Sequence, residues 1–168
     1  MKKIILVIAL IGLGLVSNAQ GKLKIGHINS NDLLLLMPER DSAEQKMGQY
    51  AKQLELQLTT MSSEYEKKLT SYEQNKGNMT DIIRQDKEGE LVSLQRRIQD
   101  FQTKAQESLQ KREQELMKPL VEAANKAIKE VANEGGYTYI FDSSVGVLLH
   151  FPEGDDILPA VKTKLKIE

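Results

Sequence analysis

The sequence predicts an α+β protein in which a small β body carries a long antiparallel α-helical coiled-coil hairpin. Three observations lead there. From Met47 the larger side chains recur as Met47, Ala51, Leu54, Leu58, Met61, Tyr65, Leu69 and Tyr72, in steps of three and four. That is the spacing of a helix with a single apolar stripe. The rhythm returns as Leu91, Leu94, Ile98, Phe101, Ala105 and Leu109, and continues through Leu116, Leu120, Ala127 and Val131. Segments with the composition of strands lie only near the two ends of the chain. Between the stripes stand Lys, Glu, Gln, Arg, Ser and Thr, so neither helix can be buried all round and each needs the other.

Taken in order, Met1-Lys2-Lys3, the apolar run Ile4 to Val16 and Ser17-Asn18-Ala19 have the form of a secretory signal peptide over residues 1–19, cleaved after Ala19. The run is too short to span about 30 Å of hydrocarbon. Residues 20–40 and 119–168 are assigned to a β-rich oligomerisation body, and residues 41–118 to the coiled-coil arm. Lys22 to Asn29 alternates apolar and polar side chains as a first strand, and Asn29-Ser30-Asn31-Asp32 suits a turn or helix cap. Pro38 suits the first turn of the outgoing helix. The tip lies near residues 76–81, where Gly77 fits a left-handed helix end and Asn78 with Asp81 a capping box. At about 1.5 Å per residue each limb is roughly 50 Å long.

In the returning limb, Gly89 weakens the helix and Pro119 removes a backbone hydrogen bond, so both are assigned as hinges. Gly135-Gly136 stops the helix. Tyr137 to Phe141 and Val145 to Phe151, separated by Asp142-Ser143-Ser144, suit two antiparallel strands. Asp155 caps a closing helix over Ile157 to Ile167, with Leu158, Val161 and Leu165 on one face. The body is about 60 residues, a marginal core alone, which predicts an oligomer. Ile25, Ile28, Val131, Tyr139, Phe141, Val145, Val147 and Leu149 are its expected contact residues.

The chemistry is that of a binding protein. There is no cysteine, hence no disulfide, thiolate nucleophile or sulfur-ligated metal. His27 and His150 are the only histidines, and neither has a ligand-spaced neighbour. They are expected as exposed or half-buried strand positions. No P-loop, nucleophile elbow or dinucleotide motif occurs, so no catalytic residue, metal or cofactor is assigned. Without residues 1–19 the chain has 21 basic and 24 acidic residues, a formal charge of −3, which argues against nucleic acid as a partner. What remains is surface. Met61, Tyr65 and Tyr72 on the arm are adaptable contact residues as well as seam residues, and Met79, Ile82 and Ile83 at the tip have little seam left to pack against.

The whole pattern resembles the Skp (OmpH) family of periplasmic chaperones. The likeness is carried by Lys24-Ile25-Gly26-His27-Ile28-Asn29-Ser30 and by Leu33 to Met37 running into Pro38-Glu39-Arg40-Asp41-Ser42-Ala43. At the far end it is carried by Pro119 to Ala132, by Gly136-Tyr137-Thr138-Tyr139-Ile140-Phe141-Asp142, and by Asp155-Asp156-Ile157-Leu158-Pro159-Ala160-Val161. The resemblance implies a homotrimer whose arms enclose a cavity and hold unfolded outer-membrane proteins in the periplasm without ATP. Well-known members are strongly basic, whereas this chain is acidic. Electrostatic capture and contact with lipopolysaccharide or a membrane surface are therefore left open. The alternative reading, from a different class, is a coiled-coil scaffold or spacer of the cell envelope that binds one folded partner.

Overall fold

The computed structural model describes residues 23–167, so the signal-peptide reading of residues 1–19 lies outside the described residues. In chain order the elements are β1 (Ile25–Ile28), α1 (Ser30–Leu36), α2 (Pro38–Asn75), a 3-10 turn (Lys76–Asn78), α3 (Asp81–Glu134), β2 (Tyr139–Asp142), a second 3-10 turn (Glu153–Asp155) and α4 (Leu158–Leu165). They divide into two compact units. Among the described residues, one contains residues 23–36 and 123–167, and the other is Met37–Glu122. The architecture is that of a small strand pair and a long helical hairpin.

In the strand-bearing unit, β1 and β2 pair in parallel, with Ile25 opposite Tyr139 and Ile28 opposite Asp142. Parallel strands require a long crossover. Here the connection contains the entire hairpin. His27 also bridges Asp156, so β1 has a partner on each side. Asn29 caps α1 through its side-chain oxygen, which accepts the N–H groups of Asn31 and Asp32 at 3.1 and 3.2 Å. α3 ends in a Schellman motif: Gly136 takes φ +66°, its N–H reaches the Asn133 carbonyl and the Tyr137 N–H reaches Ala132 at 2.9 Å. Lys24 then closes the corner, its Nζ donating to the Gly135 carbonyl at 2.6 Å and lying 4.0 Å above the Tyr137 ring. Gly26 makes room for that ring, since a Cβ there would come within 2.8 Å of it. Among the described residues, the largest fully buried side chains are Ile28 of β1, Leu33 of α1, Ile157 just before α4 and Val161 within it.

In the hairpin unit, Tyr50 bonds Ser108, Lys68 bonds Glu90 and Tyr72 donates to Glu88. The move from Tyr50 to Lys68 up one helix is matched by an equal move back from Ser108 to Glu90 on the other, which fixes the antiparallel register. Met61, Leu91 and Leu94 are buried in the seam. α3 runs unbroken through Pro119.

Several local expectations are corrected. Val145 to Phe151 is not a strand. The Ser144 N–H turns back onto the Asp142 carboxylate at 2.9 Å and Gly146 takes φ +69°, so the chain leaves the end of β2 instead of folding along it. At the tip, Gly77 lies inside a 3-10 turn and does not adopt positive φ. The cap of α3 is Thr80, whose oxygens accept the N–H groups of Ile83 and Arg84, not an Asn78 capping box. The closing helix has Ile157 at its N-cap and no side-chain cap, so Asp155 does not cap it; just before it, the Asp156 carboxylate accepts the Leu158 N–H at 2.9 Å. His27, expected to be exposed or half-buried, is 6% exposed. Its ring packs on Phe151 and its Nε2 lies 3.0 Å from the Pro152 carbonyl, so the segment after β2 covers it.

Candidate functional site

The candidate contact residues occupy three environments. Met61 is 7% exposed and packs in the seam, so its apolar surface is already spent on holding the hairpin together. Tyr65 and Tyr72 are half-buried, and the Tyr72 hydroxyl donates to Glu88, a bond that with burial pushes the phenol up from its ordinary value. Met79 is half-buried, Ile83 is exposed, and Ile82 is 82% exposed at the start of α3. The tip thus presents two adjacent isoleucines on the first helical turn, beyond the seam. Around them, charges are paired within the hairpin: Lys76 with Glu73, Arg84 with Asp81, and Lys87 with Glu90. Hydrogen bonds from Lys87 and Lys68 hold the Glu90 carboxyl below its ordinary value.

One feature of the hairpin has no counterpart in the sequence reading. Along one flank, the helices part into a groove of about 600 Å³ lined by Ala51, Leu54, Leu58, Phe101, Ala105 and Leu109. Glu55, Gln99, Gln102, Thr103 and Gln106 complete it. All six apolar residues belong to the stripes read from the sequence. What the stripe cannot convey is that Ala51 and Ala105 are too small to fill the seam at that level. The groove carries a single charged side chain and three amides, each able both to donate and to accept. Such a wall suits a polypeptide backbone without demanding a particular sequence.

In the strand-bearing unit, the expected assembly residues separate by burial. Ile28 and Val131 belong to the core, whereas Ile25, Tyr139, Phe141, Val145 and Val147 are exposed and Leu149 is 95% exposed. Tyr139 and Phe141 share a face of β2, their rings stacked at 6.3 Å. Together these side chains concentrate exposed apolar surface on one part of the unit. The polar cluster beside it is internal. The Asp142 carboxylate accepts the N–H and hydroxyl of Ser30 and the N–H of Ser144, joining the end of β2 to the start of α1. Its oxygens are occupied by structural bonds. Gly89 and Pro119, the assigned hinges, both lie inside α3, and a Cβ at Gly89 would meet nothing within 4 Å. Among the described residues no helix is long and apolar enough to cross a membrane, and no group of three or more His, Cys, Asp or Glu is placed to hold a metal.

A two-strand unit and a long two-helix hairpin define an α+β class of helical-hairpin proteins. The family described as outer membrane protein (OmpH-like) matches residues 24–165. The chain belongs to that OmpH-like family. A crystal structure from Caulobacter crescentus CB15, of a protein described as an OmpH-like outer membrane chaperone, superposes with a TM-score of 0.73. It covers 88% of this chain and 86% of its own, at 15% identity, a likeness that shows the fold. No curated protein sequence matches this chain.

Proposed function

We propose that this protein is an ATP-independent holdase chaperone of the periplasm, capturing unfolded outer-membrane proteins between the helical hairpins of a homotrimer. Membership of the OmpH-like family and the fold shared with a protein described as an outer membrane chaperone support a chaperone role. The observation that carries the finer reading is apolar surface left unpartnered on the hairpin, in the groove beside Phe101 and at Ile82 and Ile83. Each patch is small. Three copies raise the effective concentration of poor contacts, so a client is retained while every individual contact stays breakable. Capture then depends on shape and adaptable contacts, because basic and acidic side chains are interleaved along the arm and leave it nearly balanced in charge. The exposed face of Ile25, Tyr139, Phe141, Val145, Val147 and Leu149 supplies the surface for trimer assembly. Gly89 and Pro119 supply flexion that admits larger clients.

Dilution of a urea-denatured outer-membrane β-barrel into the purified protein, followed by light scattering without nucleotide, tests this. Suppression is expected at about one trimer per client, weakened several-fold by Ile82→Ser with Ile83→Ser. In the same assay Gly89→Ala with Pro119→Ala stiffens the arm and lowers the capacity for large clients while sparing small ones. Absence of suppression by folded, trimeric protein would turn the reading to an envelope scaffold.

A further inference from the structure

The groove along the hairpin has an apolar floor and a polar rim. Ala51, Leu54, Leu58, Phe101, Ala105 and Leu109 are half-buried, whereas Glu55, Gln99, Gln102 and Gln106 are exposed. Its volume of about 600 Å³ falls within the roughly 300–1,000 Å³ of small-ligand sites. Phe101 to Leu109 spans about 12 Å at the helical rise, a length that about four residues of extended chain cover. Between the Tyr50 to Ser108 bond and the Lys68 to Glu90 bond, no side-chain hydrogen bond crosses from one helix to the other among the described residues. The polar groups of the rim are thus not consumed in holding the hairpin together.

The rim has a register of its own. Gln99, Gln102 and Gln106 follow one another in steps of three and four, so they share one face of α3, about 4.5 and 6 Å apart along its axis. Each amide donates and accepts at once. In an extended chain the N–H and C=O of every second residue point to the same edge, about 6.7 Å apart, a pitch that flexible glutamine side chains can follow. A helix satisfies its own backbone and an acyl chain has none, so either would leave the three amides without partners. Charge narrows the occupant further. Glu55 is the one charged side chain lining the groove, and none of the hairpin's ion pairs uses it. A basic side chain in the occupant complements it.

We propose that the groove binds an extended polypeptide segment of about four to five residues whose alternate side chains are apolar and which carries a neighbouring lysine or arginine. The apolar side chains enter at the level of Ala51 and Ala105, one edge of the backbone pairs with Gln99, Gln102 and Gln106, and the basic group meets Glu55. Such alternation is the pattern of a strand with one apolar face. The physiological role of the site rests on the holdase reading, whereas the binding itself does not.

Fluorescence anisotropy of a dye-labelled, capped octapeptide that alternates leucine with serine and ends in lysine, titrated with the purified protein, tests the site. Saturable binding is expected, weakened about threefold or more in Gln102→Ala with Gln106→Ala. Methylation of alternate backbone nitrogens of the peptide costs a comparable factor with the parent and nothing further with that double variant. Exchange of the peptide's lysine for glutamine costs about twofold at low salt, a difference that Glu55→Gln removes. Ala105→Leu fills the floor and lowers affinity about tenfold, with the helical circular dichroism unchanged. Parental affinity in the glutamine variant together with undiminished binding of the methylated peptide overturns the proposal, whether or not Ala105→Leu folds. Peptide affinity that falls as the protein self-associates gives the groove to a second copy and also overturns it. Suppression of β-barrel aggregation without peptide binding removes the groove site and leaves the holdase reading; peptide binding at the groove without suppression does the reverse.

Discussion

Leu33→Ala is expected to destabilise the strand-bearing unit by about 3 kcal/mol, within the 2–5 kcal/mol typical of buried leucine truncations. Leu33 is fully buried, the largest apolar side chain that α1 contributes to a core built otherwise from Ile28, Ile157 and Val161. A unit of about 60 residues has only about 0.05–0.15 kcal/mol of stability per residue, so this single loss is comparable with its whole stability. Hydrogen exchange resolved by segment is the measurement. Amides of β1, β2 and α4 should approach unfolded rates while those around Met61, Leu91 and Leu94 retain protection. Leu149→Ser provides the contrast. Leu149 is almost fully exposed, so its loss is expected to change chain stability by under about 0.5 kcal/mol. If assembly covers it, sedimentation will instead show self-association weakened about tenfold or more per contact. Loss of protection throughout the hairpin in Leu33→Ala would mean that the two units do not unfold separately.

How much of this was legible in the sequence depends on the range of the interaction. The long helices were legible because their signal is repeated over many residues and set by one neighbour. Every seam residue from Met47 to Tyr72 had to face the same partner. β1, β2 and α4 were legible in place, from alternation and apolar periodicity, but the strands were not legible in pairing. The sequence favoured a hairpin after Asp142 because two β-prone runs flank a short polar turn. The structure pairs β2 in parallel with β1, on the far side of the entire hairpin in sequence. Local composition carries no record of that choice. The same limit applies to His27, read as an exposed or half-buried strand position because local alternation gives no sign that Phe151 and Pro152 cover it.

The candidate surfaces show the complementary limit. Ile82 and Ile83 were legible because a helix start at a chain reversal leaves little to pack against. The groove beside Ala51 and Ala105 was not, because a stripe of apolar letters gives position without volume. Small residues in a seam can draw helices together or leave a gap, and the outcome is set by the bulk of Phe101, Leu54 and Leu58 around them. Substituting Met for Ala at such a level fills a gap or forces the helices apart, and sequence patterning does not distinguish these cases.

Asp142→Ala is expected to cost roughly 2 kcal/mol at neutral pH and progressively less in acid, a dependence that follows from its hydrogen bonds. Burial pushes the Asp142 carboxyl up, but bonds from Ser30 and Ser144 outweigh it and hold the group below the usual carboxylate range. A lowered folded value means that the ionised form is the one the fold prefers. Its contribution is therefore complete above the unfolded value of about 4 and is lost as pH falls through the lower folded value. The gap in denaturation free energy between parent and Asp142→Ala should be level from neutral pH to about pH 5 and should close below about pH 4. Subtraction matters, because every other carboxylate titrates in both proteins. High salt separates this site from the surface pairs. Glu90 is also held low, by exposed lysines, and added salt screens that effect. Asp142 is bound by uncharged donors of Ser30 and Ser144, so its gap should survive molar salt. A gap that vanished with salt would place the stabilisation in long-range charge, and one that stayed constant into strong acid would place it in packing.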